Sequence, residues 1–227
     1  MKQNAMHIAI ILDRSGSMGS IAGATVEGVN AFLLEQRRST AEVSLLLVQF
    51  DDQYDQLYAG PIAGAPMLTL SENPASNEVR FEPRGMTALL DAMGRTIDDV
   101  GNSLAALAEE QRPAKIVIVT MTDGQENSSK HFTQQQIAAK IQHQRDVYMW
   151  EFQFLAANQD AIATAAAMNI PIGNAITYTA SSSGARNVIT SASRSVRAYA
   201  AVGAPLPAFS KLDRAAAMEP EQEEAKT

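Results

Sequence analysis

Three short apolar runs stand out along the chain: MHIAIIL at 6–12, VSLLLVQF at 43–50 and IVIVTM at 116–121. They are rich in branched residues and barely alternate with polar ones. Strands covered on both faces read this way, as in a parallel sheet with helices above and below. A fourth run, VYMWEFQFL at 147–155, predicts a strand whose Glu151 and Gln153 mark one wetter face, nearer an edge. The stretch at about 53–59 follows polar FDDQ and predicts a hairpin with 43–50. A last short strand is expected at about 175–179.

Helical spacing fills the gaps. In 24–37, Val26, Val29 and Leu33 keep an i, i+3, i+7 rhythm, with Glu27, Glu35 and Arg38 off the stripe. The stretch 87–110 predicts a long helix from Thr87, with Asp91 in its first turn, where the helix dipole favours negative charge, and Pro113 beyond its end. Shorter helices are predicted at 133–143 and 158–168. In 184–201, Ala185, Val188, Ile189, Ala192, Val196 and Tyr199 form one stripe; Arg186, Arg194 and Arg197 fall off it and read as a solvated face, with a binding stripe as the alternative.

Strands alternating with helices in this order predict a three-layer, doubly wound α/β fold of Rossmann-like type. Its central sheet is mostly parallel, with one antiparallel edge strand and helices on both faces. Residues 60–80, rich in Gly, Pro, Asn and Ser, read as a long surface connection. The expected division is one domain over 1–203 and a disordered acidic tail over 204–227, where Pro, Ala and acid replace any core pattern.

Composition narrows the function classes. With 227 residues and 46% apolar content the chain has enough material for a full-sized core. A net charge of -7 argues against a nucleic-acid groove. The absence of cysteine removes disulfides, zinc thiolates and thiol nucleophiles, and leans towards a reducing compartment. The apolar run 6–12 is too short for a membrane helix and ends in Asp13 without a cleavage site, so the expectation is a cytoplasmic protein without a membrane partner.

In an open α/β sheet, ligands gather at the carboxyl ends of the strands. The first strand delivers Asp13, Ser15 and Ser17 there; the strand 116–121 delivers Asp123; and the loop PRGMTALLD, 83–91, brings Thr87 to the same edge. All five side chains carry hard oxygen donors, suited to Mg²⁺, with Mn²⁺ or Ca²⁺ as alternatives, rather than to zinc. Ser15 and Ser17 fit as direct neutral ligands on a tight loop that Gly16 and Gly19 let bend, with Thr87 as a third; Asp13 and Asp123 fit as holders of waters and hydroxyls. Taken alone, DRSGSM is equally compatible with a strand-to-loop turn whose serine caps the next helix.

DRSGSM at 13–18, GMTALLDA at 85–92 and TDG at 122–124 together resemble the metal-ion-dependent adhesion site (MIDAS) of von Willebrand factor A domains. GVNAFLLEQ at 28–36 and VQFDDQY at 48–54 are similar to the small stand-alone bacterial and phage members. The resemblance spans roughly 5–200. It implies Mg²⁺ at the upper edge of the sheet, a partner protein's Asp or Glu completing its shell, and a binding module rather than an enzyme. For intracellular bacterial members it also implies a working partner such as a MoxR-type AAA+ ATPase.

The competing enzyme reading is a metal-dependent phosphohydrolase with Asp13 as nucleophile. It wants a second acid two residues on, where this chain has Ser15. Neither a G-x-S-x-G elbow nor a P-loop is present. Asp51, Asp52 and Asp55 read as a solvated hairpin turn, with a second cation site as the alternative. Glu126, Asn127 and Ser128 are expected at the rim of the metal site, in helix capping or in partner selection. His7, His131 and His143 lack ligand spacing, and Trp150 reads as sheet packing.

Overall fold

The computed structural model describes residues 1–157, 161–201 and 203–220. In chain order the elements are β1 (Lys2–Asp13), α1 (Ala22–Arg37), β2 (Glu42–Phe50), β3 (Tyr54–Pro61), β4 (Met67–Thr69), β5 (Glu78–Arg80), α2 (Leu89–Ala105), β6 (Pro113–Thr122), α3 (Gln134–Tyr148), β7 (Glu151–Ala157), α4 (Ala161–Ala167), β8 (Ala175–Tyr178), α5 (Ser182–Ala200) and α6 (Lys211–Ala217). The main sheet runs β3-β2-β1-β6-β7-β8. Only β3 is antiparallel to its neighbour, as the hairpin pattern predicts.

Alternation along β1 explains the layers. Met6, Ile8, Ile10 and Leu12 join a core with Leu33 of α1 and Val188 of α5. Ala9 and Ile11 point the other way, into a core with Met93 and Ile97 of α2 and Ile137 and Ile141 of α3. Each fully buried Met, Ile or Leu among them contributes about 1.5–3 kcal/mol, so β1 is anchored from both sides. After β1 the chain leaves on one side to make β2, then returns to make β6 on the other side. The connections diverge at the carboxyl ends of β1 and β6, which opens a crevice there.

Several expectations need correction. The run 147–155 is not one strand: Val147 and Tyr148 end α3, Met149 caps it in the left-handed conformation (φ 57°), and β7 starts at Glu151. Gln153 is fully buried, with Nε2 donating to Ser195 Oγ at 2.9 Å, so its face of β7 is polar without being wet. Helix α2 starts at Leu89, which leaves Thr87 on the loop. The connection 60–80 holds the parallel pair β4–β5, because Asn30 clamps both backbone groups of Leu68 (2.8 and 2.7 Å) and draws it onto α1.

Residues 204–220, expected in the tail, pack onto the domain. Leu206, Phe209 and Ala217 are buried, and α6 opens on a capping box of Ser210 and Asp213. Arg214 Nη1 donates to Ala175 O at 2.8 Å, which fixes α6 to β8. Residues 221–227 lie outside the described residues, as do 158–160 of the helix predicted at 158–168. Arg186 pairs with Glu27 (2.8 Å), Arg197 with Glu35 and Arg194 with Asp213, so these arginines tie α5 to its neighbours rather than facing solvent alone. Among the described residues no helix is long and apolar enough to cross a membrane.

Candidate metal centre

The crevice holds all five residues singled out by sequence. Asp13 is the last residue of β1 and is fully buried. Its Oδ1 accepts from Ser15 N at 2.6 Å and its Oδ2 from Thr122 Oγ1 at 2.6 Å. The first bond bends the chain into a tight turn directly after the strand. Ser15 makes no capping bond, so the helix-cap alternative fails and its hydroxyl lies 3.2 Å from Ser17 Oγ. Ser17 Oγ donates to Asp123 Oδ1 at 2.6 Å, which joins the first loop to the loop after β6.

Thr87 arrives on a second loop that is fixed at both ends. Gly85 adopts φ +67°, and a Cβ there would meet Asp52 Oδ1 at 2.7 Å. Only glycine takes this turn without strain. Gly85 O accepts from Gly16 N at 3.2 Å, which ties the loop to the first. On the other side Asn127 Oδ1 accepts from Thr87 N (2.9 Å), while Asn127 N donates to Thr87 O (3.1 Å).

Helix α2 has no side-chain cap of its own. Glu126 Oε2 accepts from Leu90 N at 2.9 Å and Ser129 Oγ from Asp91 N at 3.0 Å, so the loop after β6 caps it from outside. In return Asp91 accepts from the backbone N–H groups of Lys130, His131 and Phe132 (2.7, 2.9 and 2.8 Å). Glu126 and Asn127 therefore hold loops together, the capping role among the two expected for them.

The hydroxyls converge. An atom built at the Cβ position of Gly124 would lie 3.1 Å from Thr87 Oγ1, 3.7 Å from Ser17 Oγ and 3.9 Å from Ser15 Oγ. Three neutral oxygens from two loops thus face one point, kept open because residue 124 has no side chain. Asp13 and Asp123 stand behind them, both buried. Burial pushes the Asp13 carboxyl up to about 6 against the pull of Thr122 and Ser15, with the Asp123 charge adding to the rise. Burial likewise raises Asp123. Arg14, next to Asp13 in sequence, is engaged with Asp51 and Asp55, and Arg84 with Asp51. Among the described residues no group of three or more His, Cys, Asp or Glu side chains is placed to hold a metal. The donor set of the crevice is instead three hydroxyls and two carboxylates, which is hard-oxygen chemistry and fits Mg²⁺ or Mn²⁺.

Thr122 was not singled out from sequence. Its role was legible only through strand register: Leu12 pairs with Met121, so Thr122 falls beside Asp13. The Asp51 cluster is not a second cation site, since its counter-charges are guanidinium groups. His143 packs edge-on against Tyr148, and Trp150 is buried beneath α2 and α3.

No protein-family model matches this sequence, and no curated protein matches it as a relative. Solved structures do. The vWF domain of the type V pili tip protein Mfa5 from Porphyromonas gingivalis is similar at TM-score 0.58 and 9% identity, over 88% of this chain and 97% of that one. The fold is that of a von Willebrand factor A domain. A von Willebrand factor type A protein from Catenulispora acidiphila aligns at TM-score 0.54 and 12% identity, over 85% of this chain and 42% of its own. Proximal thread matrix protein 1 of the mussel byssus, in a form with a zinc-occupied MIDAS motif, aligns at TM-score 0.55 and 13% identity. This chain covers 85% of itself and 46% of that protein, so it spans under half the length of the mussel chain. At these identities the likeness establishes the von Willebrand factor A architecture, and the chemistry of the crevice stands on this chain's own residues.

Proposed function

We propose that this chain is a divalent-metal-dependent protein-binding module. The observation that carries the reading is the convergence of Ser15, Ser17 and Thr87 hydroxyls on one point beside Gly124, backed by two buried carboxylates without a cation partner among the described residues. Ser15, Ser17 and Thr87 would hold the ion directly. Asp123 would orient the Ser17 hydroxyl, and Asp13 would orient Ser15 and, with Asp123, bound water. A Mg²⁺ ion held mainly by neutral oxygens stays electron-poor, and so supplies a strong acceptor for an incoming carboxylate.

The partner is then a protein that presents Asp or Glu. An AAA+ ATPase of the MoxR type is the candidate that the sequence resemblance supplies, and the lack of cysteine supports a cytoplasmic setting. The phosphohydrolase alternative is disfavoured by Asp13 itself. A nucleophile must reach substrate, yet this carboxylate is fully buried with both oxygens hydrogen-bonded.

Capture from native lysate tests the reading, with the immobilised chain in Mg²⁺, in chelator, and as Asp13→Ala. The expected outcome is a partner retained only by the intact chain in Mg²⁺, with no phosphate released from an aryl phosphate. A partner list unchanged by chelator and by the substitution would refute it.

A further inference from the structure

Asp51 lies in the β2–β3 turn, on neither hydroxyl-bearing loop, and is 1% exposed. Its Oδ2 accepts from Arg14 Nε at 3.2 Å and from Arg84 Nε at 2.9 Å, and its Oδ1 from Gln53 N at 2.6 Å. Arg14 immediately precedes Ser15, and it also pairs with Asp55 at 2.7 Å. Arg84 stands three residues before Thr87 on the other loop. The main chain repeats the pattern. Asp51 O accepts from Ala88 N at 2.9 Å, Arg14 O from Arg84 N at 2.7 Å, and Phe50 O from Arg14 N at 2.8 Å.

We propose that Asp51, held between Arg14 and Arg84, is a positioning residue that sets the spacing between the Ser15 and Ser17 hydroxyls and the Thr87 hydroxyl. The inference rests on the metal-site reading and goes beyond it, because metal ligation alone asks nothing of these three residues. Two observations point to positioning rather than bulk stability. The Arg14–Asp51 pair is buried, and a buried ion pair is poor value as a stabiliser because desolvation offsets its attraction. The links also end on Arg14, Arg84 and Ala88, at or close to the residues that carry the hydroxyls. Mg²⁺ demands near-ideal octahedral geometry, so a shift of a fraction of an ångström between the loops is felt in affinity.

Electrostatics and positioning predict opposite signs for one substitution. Arg84 carries a positive charge three residues before Thr87, with its side chain 46% exposed. If charge alone mattered, Arg84→Gln would strengthen metal binding. If Asp51 sets the loop spacing through Arg84, the same change weakens it. Mn²⁺ affinity is measured by calorimetry and by the electron paramagnetic signal of the bound ion, well below the melting temperature taken in chelator. The expected result is a loss of about tenfold in Arg84→Gln with the melting temperature little changed, and a loss of about 10- to 100-fold in Asp51→Asn. Arg84→Lys should fall between Arg84→Gln and the wild type. Wild-type or tighter Mn²⁺ binding by Arg84→Gln overturns the positioning role and leaves the metal site standing. Absence of binding by the wild-type chain overturns both.

Discussion

Gly124 separates metal binding from folding better than any ligand does. A methyl group there would sit 3.1 Å from Thr87 Oγ1, within the space the three hydroxyls face. Gly124→Ala should therefore weaken Mg²⁺ binding at least tenfold, while the melting temperature in chelator moves by only a few degrees. His7 gives a second residue-scale test. Its Nδ1 lies 2.8 Å from Ser44 Oγ and its Nε2 is buried without a partner. Burial pushes the imidazole down to about 4. Between about pH 6.5 and 4 the unfolded chain then binds a proton that the folded chain refuses, so stability falls as pH falls through that window. The contribution is about 2 kcal/mol between pH 7 and pH 5, and it should vanish in His7→Gln, as read by urea unfolding in chelator. At this scale Asp13, Ser15, Ser17, Thr87 and Asp123 were legible in the sequence because hard-oxygen side chains left the ends of buried strands. Thr122 was not, and neither were the partners of Glu126 and Asp51, because what each touches depends on register and on loops distant in sequence.

The strands were legible as elements because burial on both faces removes polar residues from the pattern, and β1, β2 and β6 carry it plainly. The boundary between α3 and β7 was not, because Val147, Tyr148 and Met149 are apolar yet exposed at a helix end, which blurred two elements into one run. Helix α2 was placed correctly in outline, but its first turn depends on Glu126 and Ser129 from another loop, a cap no local signature announces. Helix α6 is seven residues long, too short to stand on propensity. It exists through its contacts: Asn187 Nδ2 donates to Ala216 O at 2.8 Å, and Phe209, in the segment that leads to it, is buried. Phe209→Ala should cost about 3 kcal/mol in denaturant unfolding. A silent substitution would mean that 204–220 adds nothing to the fold, as the composition of the tail suggested.

For the whole molecule, the sheet order explains why chemistry gathers at one place. The chain reverses direction across the sheet between β1 and β6, and the loops after β1 and β6 and before α2 meet in the gap. The von Willebrand factor A architecture therefore brings five oxygen donors from three distant segments to one crevice, and the Arg14–Asp51–Arg84 cluster braces two of those loops. The overall order of strands and helices was open to sequence reasoning because periodicity survives low similarity. The bracing was not, because it depends on which turn folds over which loop. Calorimetric titration of Mg²⁺ into the metal-free chain, beside Gly124→Ala, asks whether the crevice holds an ion. One ion bound per wild-type chain, with affinity at least tenfold weaker in the variant, is the predicted result. No binding by the wild-type chain, or equal binding by both, would contradict a metal held among Ser15, Ser17 and Thr87.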